Sequence, residues 1–171
     1  SPVHAIISGE NPNRKDFILI ENELSDEVPL WNVKRGLTVP RTASEMVKCV
    51  QTLLQASSEI LFIDQHFKPS ELRFRNVLAA CANIMSSNTR ITRIEYHVGL
   101  NDVSRAFYEE ECNKKLKPIL PRGMTITIVR WEQIEGKDTL HARYVLTDLG
   151  GIHIEHGLDE GEAGETTDIA L

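Results

Sequence analysis

The residues of this chain best suited to chemistry are His141 and Arg143, followed by Asp148, in the run His141-Ala142-Arg143-Tyr144-Val145-Leu146-Thr147-Asp148. An imidazole can attack phosphorus, and a guanidinium can hold the charge of a phosphate through two donors, so the pair suits a phosphodiester. The run reads as a β-strand. Side chains two apart then leave one face about 6–7 Å apart, close enough for a single phosphate to meet both. This groups His141 and Arg143 with Val145 and Thr147, and leaves Leu140, Ala142, Tyr144 and Leu146 as an apolar face for a core. Asp148 falls where Leu149-Gly150-Gly151 signals a turn, and there its carboxylate can fix backbone or orient a neighbour. A half-buried strand whose histidine and arginine simply meet water carries the same pattern, so the surroundings must decide.

A His-x-basic-x4-Asp pattern on a strand resembles the signature of the phospholipase D-like superfamily, with Arg143 where a lysine usually stands. Closer still is a resemblance to the phospholipase D-like C-terminal domain of MIT-domain-containing proteins. His141 and Arg143 carry it, with Gly157-Leu158-Asp159 and then Glu165-Thr166-Thr167 before an Asp168-Ile169 strand. The run from Glu59 to Phe67 is similar to that family's first core strand, and the likeness extends loosely from Arg41 to the end.

The resemblance implies an α/β fold with a mixed sheet flanked by helices, and a phosphohistidine mechanism without metal or cofactor. In it His141 attacks, Arg143 stabilises the phosphate, and a second histidine, supplied by a two-fold dimer, protonates the leaving oxygen. Asp168 or Asp159 would hydrogen-bond the imidazole, and Asp148, Gly157, Asp159, Thr166 and Thr167 would support the site. In place of the family's Gly-Ser-x-Asn stands Gly157-Leu158-Asp159-Glu160. That departure fits an alternative, a module that binds phosphates or anionic membranes without cleaving them. A purely structural dimerisation domain is a third reading. The implied partners are a phosphodiester such as nucleic acid, or anionic lipid headgroups, and a second copy of the chain.

Periodicity and breakers set the secondary structure that holds these residues. Residues 1–40 read as an N-terminal extension of unclear structure, with one possible strand at Phe17–Ile20 among turn-forming prolines and glycine, and residues 41–171 as the domain. Thr42-Ala43-Ser44-Glu45 is a capping box that predicts a helix to about Ala56, with Val47, Val50 and Leu54 as its stripe. Glu59–Asp64 predicts a buried parallel strand. Ser70 is expected to cap a helix carrying Phe74, Val77, Leu78, Cys81, Ile84 and Met85. A strand at Arg90–His97, a polar helix at Val103–Lys117 stopped by Pro118 and Pro121, and strands at Met124–Trp131, Leu140–Thr147 and Ile152–His156 complete the order. Helix-linked strands should be parallel and the last two a hairpin.

Ligands of open α/β sheets gather beyond the carboxyl ends of the parallel strands, which draws His66 and His97 towards any pocket. No metal-ligand spacing joins them, so both read as loop histidines, and Arg73 stands where a signature begun at His66 would need its acid. His153 and His156 have opposite strand parity and read as structural, and Trp131 is expected to pack on the sheet.

Composition bounds the rest. The formal net charge is −6, but the six acids between Glu155 and Leu171 face no Lys or Arg there, and the remaining acids and bases balance. A local cation can therefore still dominate a site, whereas a broadly basic surface for coating a duplex is excluded. Cys49, Cys81 and Cys112 have neither zinc nor disulfide-framework spacing and read as thiols of a reducing cytoplasm. No apolar run approaches the ~20 residues that span a bilayer, and no signal-peptide core opens the chain, so it is expected to be soluble and intracellular.

Overall fold

The computed structural model describes residues 6–25, 27–29, 31, 35–100, 103–137, 140–141 and 143–170. The chain divides into two compact units, residues 1–35 and 36–171. In the first, β1 (Ile6–Ser8) pairs in parallel with β2 (Ile18–Ile20), at the position where the sequence predicts a strand.

The second unit is built on one mixed sheet. Its strands are β3 (Gly36–Pro40), β4 (Glu59–Ile63), β5 (Arg93–Gly99), β6 (Thr127–Trp131), β7 (Tyr144–Thr147), β8 (Gly150–Ile154) and β9 (Thr166–Ala170). They lie in the order β3-β9-β8-β7-β4-β5-β6. The strands β4, β5 and β6 are parallel, while β7, β8, β9 and β3 form an antiparallel extension. Both the parallel pairing and the hairpin follow the expected arrangement, and the sheet is flanked by three helices.

Helix α1 (Ala43–Ala56) begins where Thr42 Oγ1 accepts from the Glu45 N–H at 3.4 Å, and buries Met46, Val47, Val50 and Leu54. The capping box is only half made, because the Glu45 carboxylate takes Lys48 instead. Helix α2 (Leu72–Met85) buries the predicted stripe except Ile84, which is half-buried, but Ser70 does not cap it: Glu71 stands at the N-cap with its carboxylate on Arg73 and Lys68 rather than on a helix N–H, and the Ser70 carbonyl accepts from Arg75. Helix α3 (Arg105–Lys115) is capped by Ser104 and buries only Tyr108.

All three helices share one core with the sheet face that carries Ile60, Phe62, Tyr96, Val98, Val145, Ile152, Ile154 and Ile169. Phe62, Phe67 and Tyr96 stack through it, with ring centres 4.0 and 5.5 Å apart. Pairing register fixes which face this is. Phe62 opposes Val145 and Ile60 opposes Thr147, so Val145 points to the helices and Tyr144 and Leu146 point to the other side. The apolar face expected from Tyr144 and Leu146 is thus not the core face, and Leu146 is 36% exposed. Strand β7 is apolar at both parities, so its own sequence cannot choose; its neighbour β4 chooses for it. Among the described residues no helix is long and apolar enough to cross a membrane.

Candidate functional site

Arg143 continues the core-facing parity of β7, opposite Ile154, whose N–H donates to the Arg143 carbonyl at 2.9 Å. It sits one step past the packed core, beside the carboxyl end of β4. Its Nη1 donates to the Glu155 carbonyl at 2.9 Å, and its Nε is buried with no acceptor. No carboxylate lies within ion-pair distance of it among the described residues. A guanidinium N–H left so costs roughly 1–3 kcal/mol unless an oxygen reaches it.

His141 is exposed, and its Nδ1 accepts from Gln65 Nε2 at 3.4 Å. The same Gln65 nitrogen donates to His66 Nε2 at 3.2 Å, so one amide joins two imidazoles. Gln65 and His66 lie immediately beyond β4, where a polar bend is forced. Asp64 is buried, and its Oδ1 accepts from the His66 N–H at 2.9 Å while its Oδ2 accepts from the Leu158 N–H at 2.8 Å. Gly99 gives the bend its room: a Cβ there would stand 3.1 Å from the Gln65 carbonyl oxygen.

The loop after β8 closes on the same place. Gly157 has φ +124°, and a Cβ on it would lie 2.7 Å from Asp159 Oδ1, 3.1 Å from Asp64 Oδ2 and 3.6 Å from Arg143 Cδ. Only glycine suits that backbone and that crowding. Asp159 is buried between two guanidiniums, Arg41 on its Oδ1 and Arg73 on its Oδ2 at 2.8 Å. Glu160 accepts from the Ala43 N–H at the start of α1, at 3.0 Å, and from Asn76. Asp159 and Glu160, which stand in the Gly-Ser-x-Asn register, are therefore held by the protein's own donors.

The predicted site residues separate into two sets. His141, Arg143, Gly157 and Asp159 gather at the carboxyl end of β4. Asp148 does not join them: it lies past the other end of β7, where it accepts from the Ser58 N–H at 2.9 Å, the Ser58 hydroxyl at 2.7 Å and the Glu59 N–H at 3.1 Å. Those donors, the Ser58 hydroxyl foremost, hold its carboxyl down to about 2. It pins the turn between α1 and β4, which is the backbone-fixing role its position allowed. Asp168 does not touch an imidazole among the described residues. It projects from β9 opposite Thr38, whose hydroxyl donates to it. Thr166 is exposed opposite Pro40, and Thr167 is buried, with its Oγ1 accepting from the His156 N–H at 3.4 Å and 3.3 Å from His156 Nδ1. Ala142 lies outside the described residues.

Sequence reasoning missed Asp64, Gln65, Arg41 and Arg73 and set His66 aside. The rule that ligands sit beyond parallel strand ends was the one signal that reached His66. The other histidines are engaged elsewhere. His97 Nδ1 accepts from Trp131 Nε1 at 2.9 Å, with the rings stacked, and His97 Nε2 lies 2.8 Å from Glu95. His153 leans on the Tyr144 ring. Trp131 stays 52% exposed, so it packs on His97 rather than into the sheet.

Among the described residues no group of three or more His, Cys, Asp or Glu side chains is placed to hold a metal ion. A cleft of about 350 Å³, lined in part by Gln65, Gly99, Leu100, Trp131 and Leu140, opens beside the histidine pair. The arrangement offers a fixed cation, a solvent-facing imidazole and a recess of mixed apolar and polar lining, Glu132 and Gln133 included, at one sheet end. No family model matches the chain, and no curated protein matches it.

Proposed function

We propose that this chain is a phospholipase D-like phosphodiesterase in which His141 attacks the phosphorus of a phosphodiester and Arg143 holds its non-bridging oxygens. The observation that carries the reading is Arg143: a half-buried guanidinium just before β7, with Nη1 on the Glu155 carbonyl, no carboxylate partner among the described residues, and an exposed imidazole two residues earlier in the chain where the sequence predicts a strand but the structure assigns none. A half-buried cation without a paired anion is costly, and Nη2 is the arm that a phosphate oxygen can meet. The recess beside Gln65 gives room for one substituent of the ester: its exposed Trp131 and Leu100 offer an apolar face, and Glu132 and Gln133 on the same lining offer hydrogen-bonding groups, a combination that suits a nucleobase. The reading needs no metal.

The alternative of anionic-membrane binding would rest on the cations that the fold leaves without an acid. Lys48, Lys68, Arg73, Arg93 and Arg105 are each held in ion pairs with neighbouring acids. Arg75 is turned onto the carbonyls of Pro69 and Ser70. Lys114, Lys117 and Arg122 are exposed and form no ion pair among the described residues, so acidic headgroups would have to be met there, at about 1 kcal/mol for each basic residue.

Hydrolysis of bis(p-nitrophenyl) phosphate in excess chelator tests the proposal. A rate that His141→Ala abolishes and Arg143→Ala lowers at least 100-fold is expected, with an acid-labile phosphoryl group trapped on His141. A rate unchanged in His141→Ala rejects the enzyme reading, and flotation on acidic but not neutral liposomes that requires Arg143 would establish the binding module.

A further inference from the structure

The geometry points to His66 as the second imidazole of the reaction, supplied by the same chain: we infer that it protonates the leaving oxygen, so one copy holds a complete site. This rests on the phosphodiesterase reading above and adds a residue to it. Gln65 Nε2 is 3.4 Å from His141 Nδ1 and 3.2 Å from His66 Nε2, so the two ring nitrogens are separated by no more than those two lengths together. His66 is exposed, and its backbone is anchored by the buried Asp64, which also anchors the Gly157–Leu158 turn under Arg143. A second histidine thus stands at the attacking one without any partner chain.

The amide is suited to manage both rings. With Nε2 towards them it donates to both, and His141 Nε2 carries a hydrogen and cannot attack. A half-turn of the amide brings Oε1 into that place. His141 Nδ1–H and His66 Nε2–H then donate to it, which leaves the His141 Nε2 lone pair free and holds the His66 ring by Nε2 with Nδ1 turned away from the amide.

From that state the reaction balances. The His141 Nε2 lone pair forms a bond to phosphorus as the bond from phosphorus to the leaving oxygen breaks. The His66 Nδ1 proton passes to that oxygen, and the alcohol departs. Water then attacks phosphorus and gives a proton to the now neutral His66, the P–N bond breaks, and a phosphate monoester leaves with both histidines restored.

The leaving group separates this role from any other. In a single turnover, release of the alcohol from a dinucleoside phosphate, whose alkoxide must be protonated, is expected to fall at least 100-fold in His66→Asn, while the initial burst of nitrophenolate from bis(p-nitrophenyl) phosphate falls less than 10-fold. The alkaline limb of the pH–rate profile for the dinucleotide should vanish in the same variant. Circular dichroism and the thermal midpoint report whether the variant is folded, and Gln65→Leu, which removes the bridge, should slow both substrates.

A mixture of His141→Ala and His66→Asn chains is expected to remain as slow as either alone. Recovery in the mixture would overturn the inference, because the second imidazole would then come from another copy. Equal loss on both substrates in that first, bond-breaking step, or none, would overturn it too. If His141→Ala leaves both rates intact, the phosphodiesterase reading itself fails, whatever His66 does.

Discussion

Asp159 is the place where the fold and the site put opposite demands on one charge, and Asp159→Asn separates them. The carboxylate is 4% exposed and meets Arg41, itself 13% exposed, and Arg73, which is 50% exposed. Removing one partner of a buried pair costs about 3–5 kcal/mol when the remaining charge is left alone. Here Arg41 keeps the carbonyls of His156 and Asp159 and a 3.4 Å contact with Glu165, and the Arg73 arm is half in water and screened, so the loss falls to about 2–3 kcal/mol. For a chain of this size that is about 4–12 °C in melting temperature. The same change leaves Arg41 Nη2 and Arg73 Nη1 without their shared anion, while Glu165 and Glu71 keep the other arms, so an external anion can take its place. An affinity of about 1 mM would return about 1.8 kcal/mol at about 20 mM inorganic phosphate. Thermal unfolding of both proteins, with phosphate against sodium chloride of equal ionic strength, measures both effects. The variant should melt lower and gain more from phosphate than the parent. Equal melting temperatures, or equal gains, would refute the view that Asp159 is a resident anion between two arginines.

Three further outcomes rest on local geometry. Asp148, held at about 2 by the Ser58 hydroxyl and the Glu59 and Ser58 N–H groups, contributes stability above its unfolded pKa near 3.8 that is lost as pH falls through about 2. Asp148→Asn should therefore melt lower at pH 7, and the gap should close between pH 4 and pH 2 in a pH series of unfolding curves. Tyr96 is fully buried with no partner for its hydroxyl among the described residues, and burial pushes its pKa up, so Tyr96→Phe should raise stability by about 1 kcal/mol in urea titration. Burial pushes the Cys81 thiol up to about 12, so in the native protein at pH 8 it should react with a disulfide reagent last of the three cysteines, and at the rate of unfolding.

The part of the fold that the sequence makes legible is the part where one period dominates. Val47, Val50 and Leu54 in α1 and the Phe74-to-Met85 stripe in α2 repeat every 3.6 residues, and both helices form where the spacing puts them. Strand limits are less legible. The expected Met124–Trp131 strand starts only at Thr127, because Pro121-Arg122-Gly123 makes a turn closed by the Met124 N–H on the Pro121 carbonyl. Strand β3 was not legible at all. Gly36-Leu-Thr-Val-Pro has the composition of a turn, and it becomes a strand only because β9 offers an edge on which a terminal proline costs no ladder bond.

The site divides along the same line, between what a linear motif fixes and what a chain crossing fixes. His141 and Arg143 are two residues apart, but the expected Leu140–Thr147 strand begins only at Tyr144, so what draws them to one end of the sheet is Gln65 on His141 and the Ile154 N–H on the Arg143 carbonyl. Gln65 and His66 reach His141 across a sequence gap of more than seventy residues, and only the antiparallel register of β4 with β7, Ile63 opposite Tyr144, brings the start of one strand to the end of the other. The same register carries Asp148 to the far end of β7, so the first and last residues of one motif serve opposite ends of the sheet. A motif read along one strand binds residues to a common chemistry only as far as they share an end. Here the acid answers to Ser58 and the turn before β4, while the histidine and arginine answer to the Asp64–His66 bend at that strand's carboxyl end.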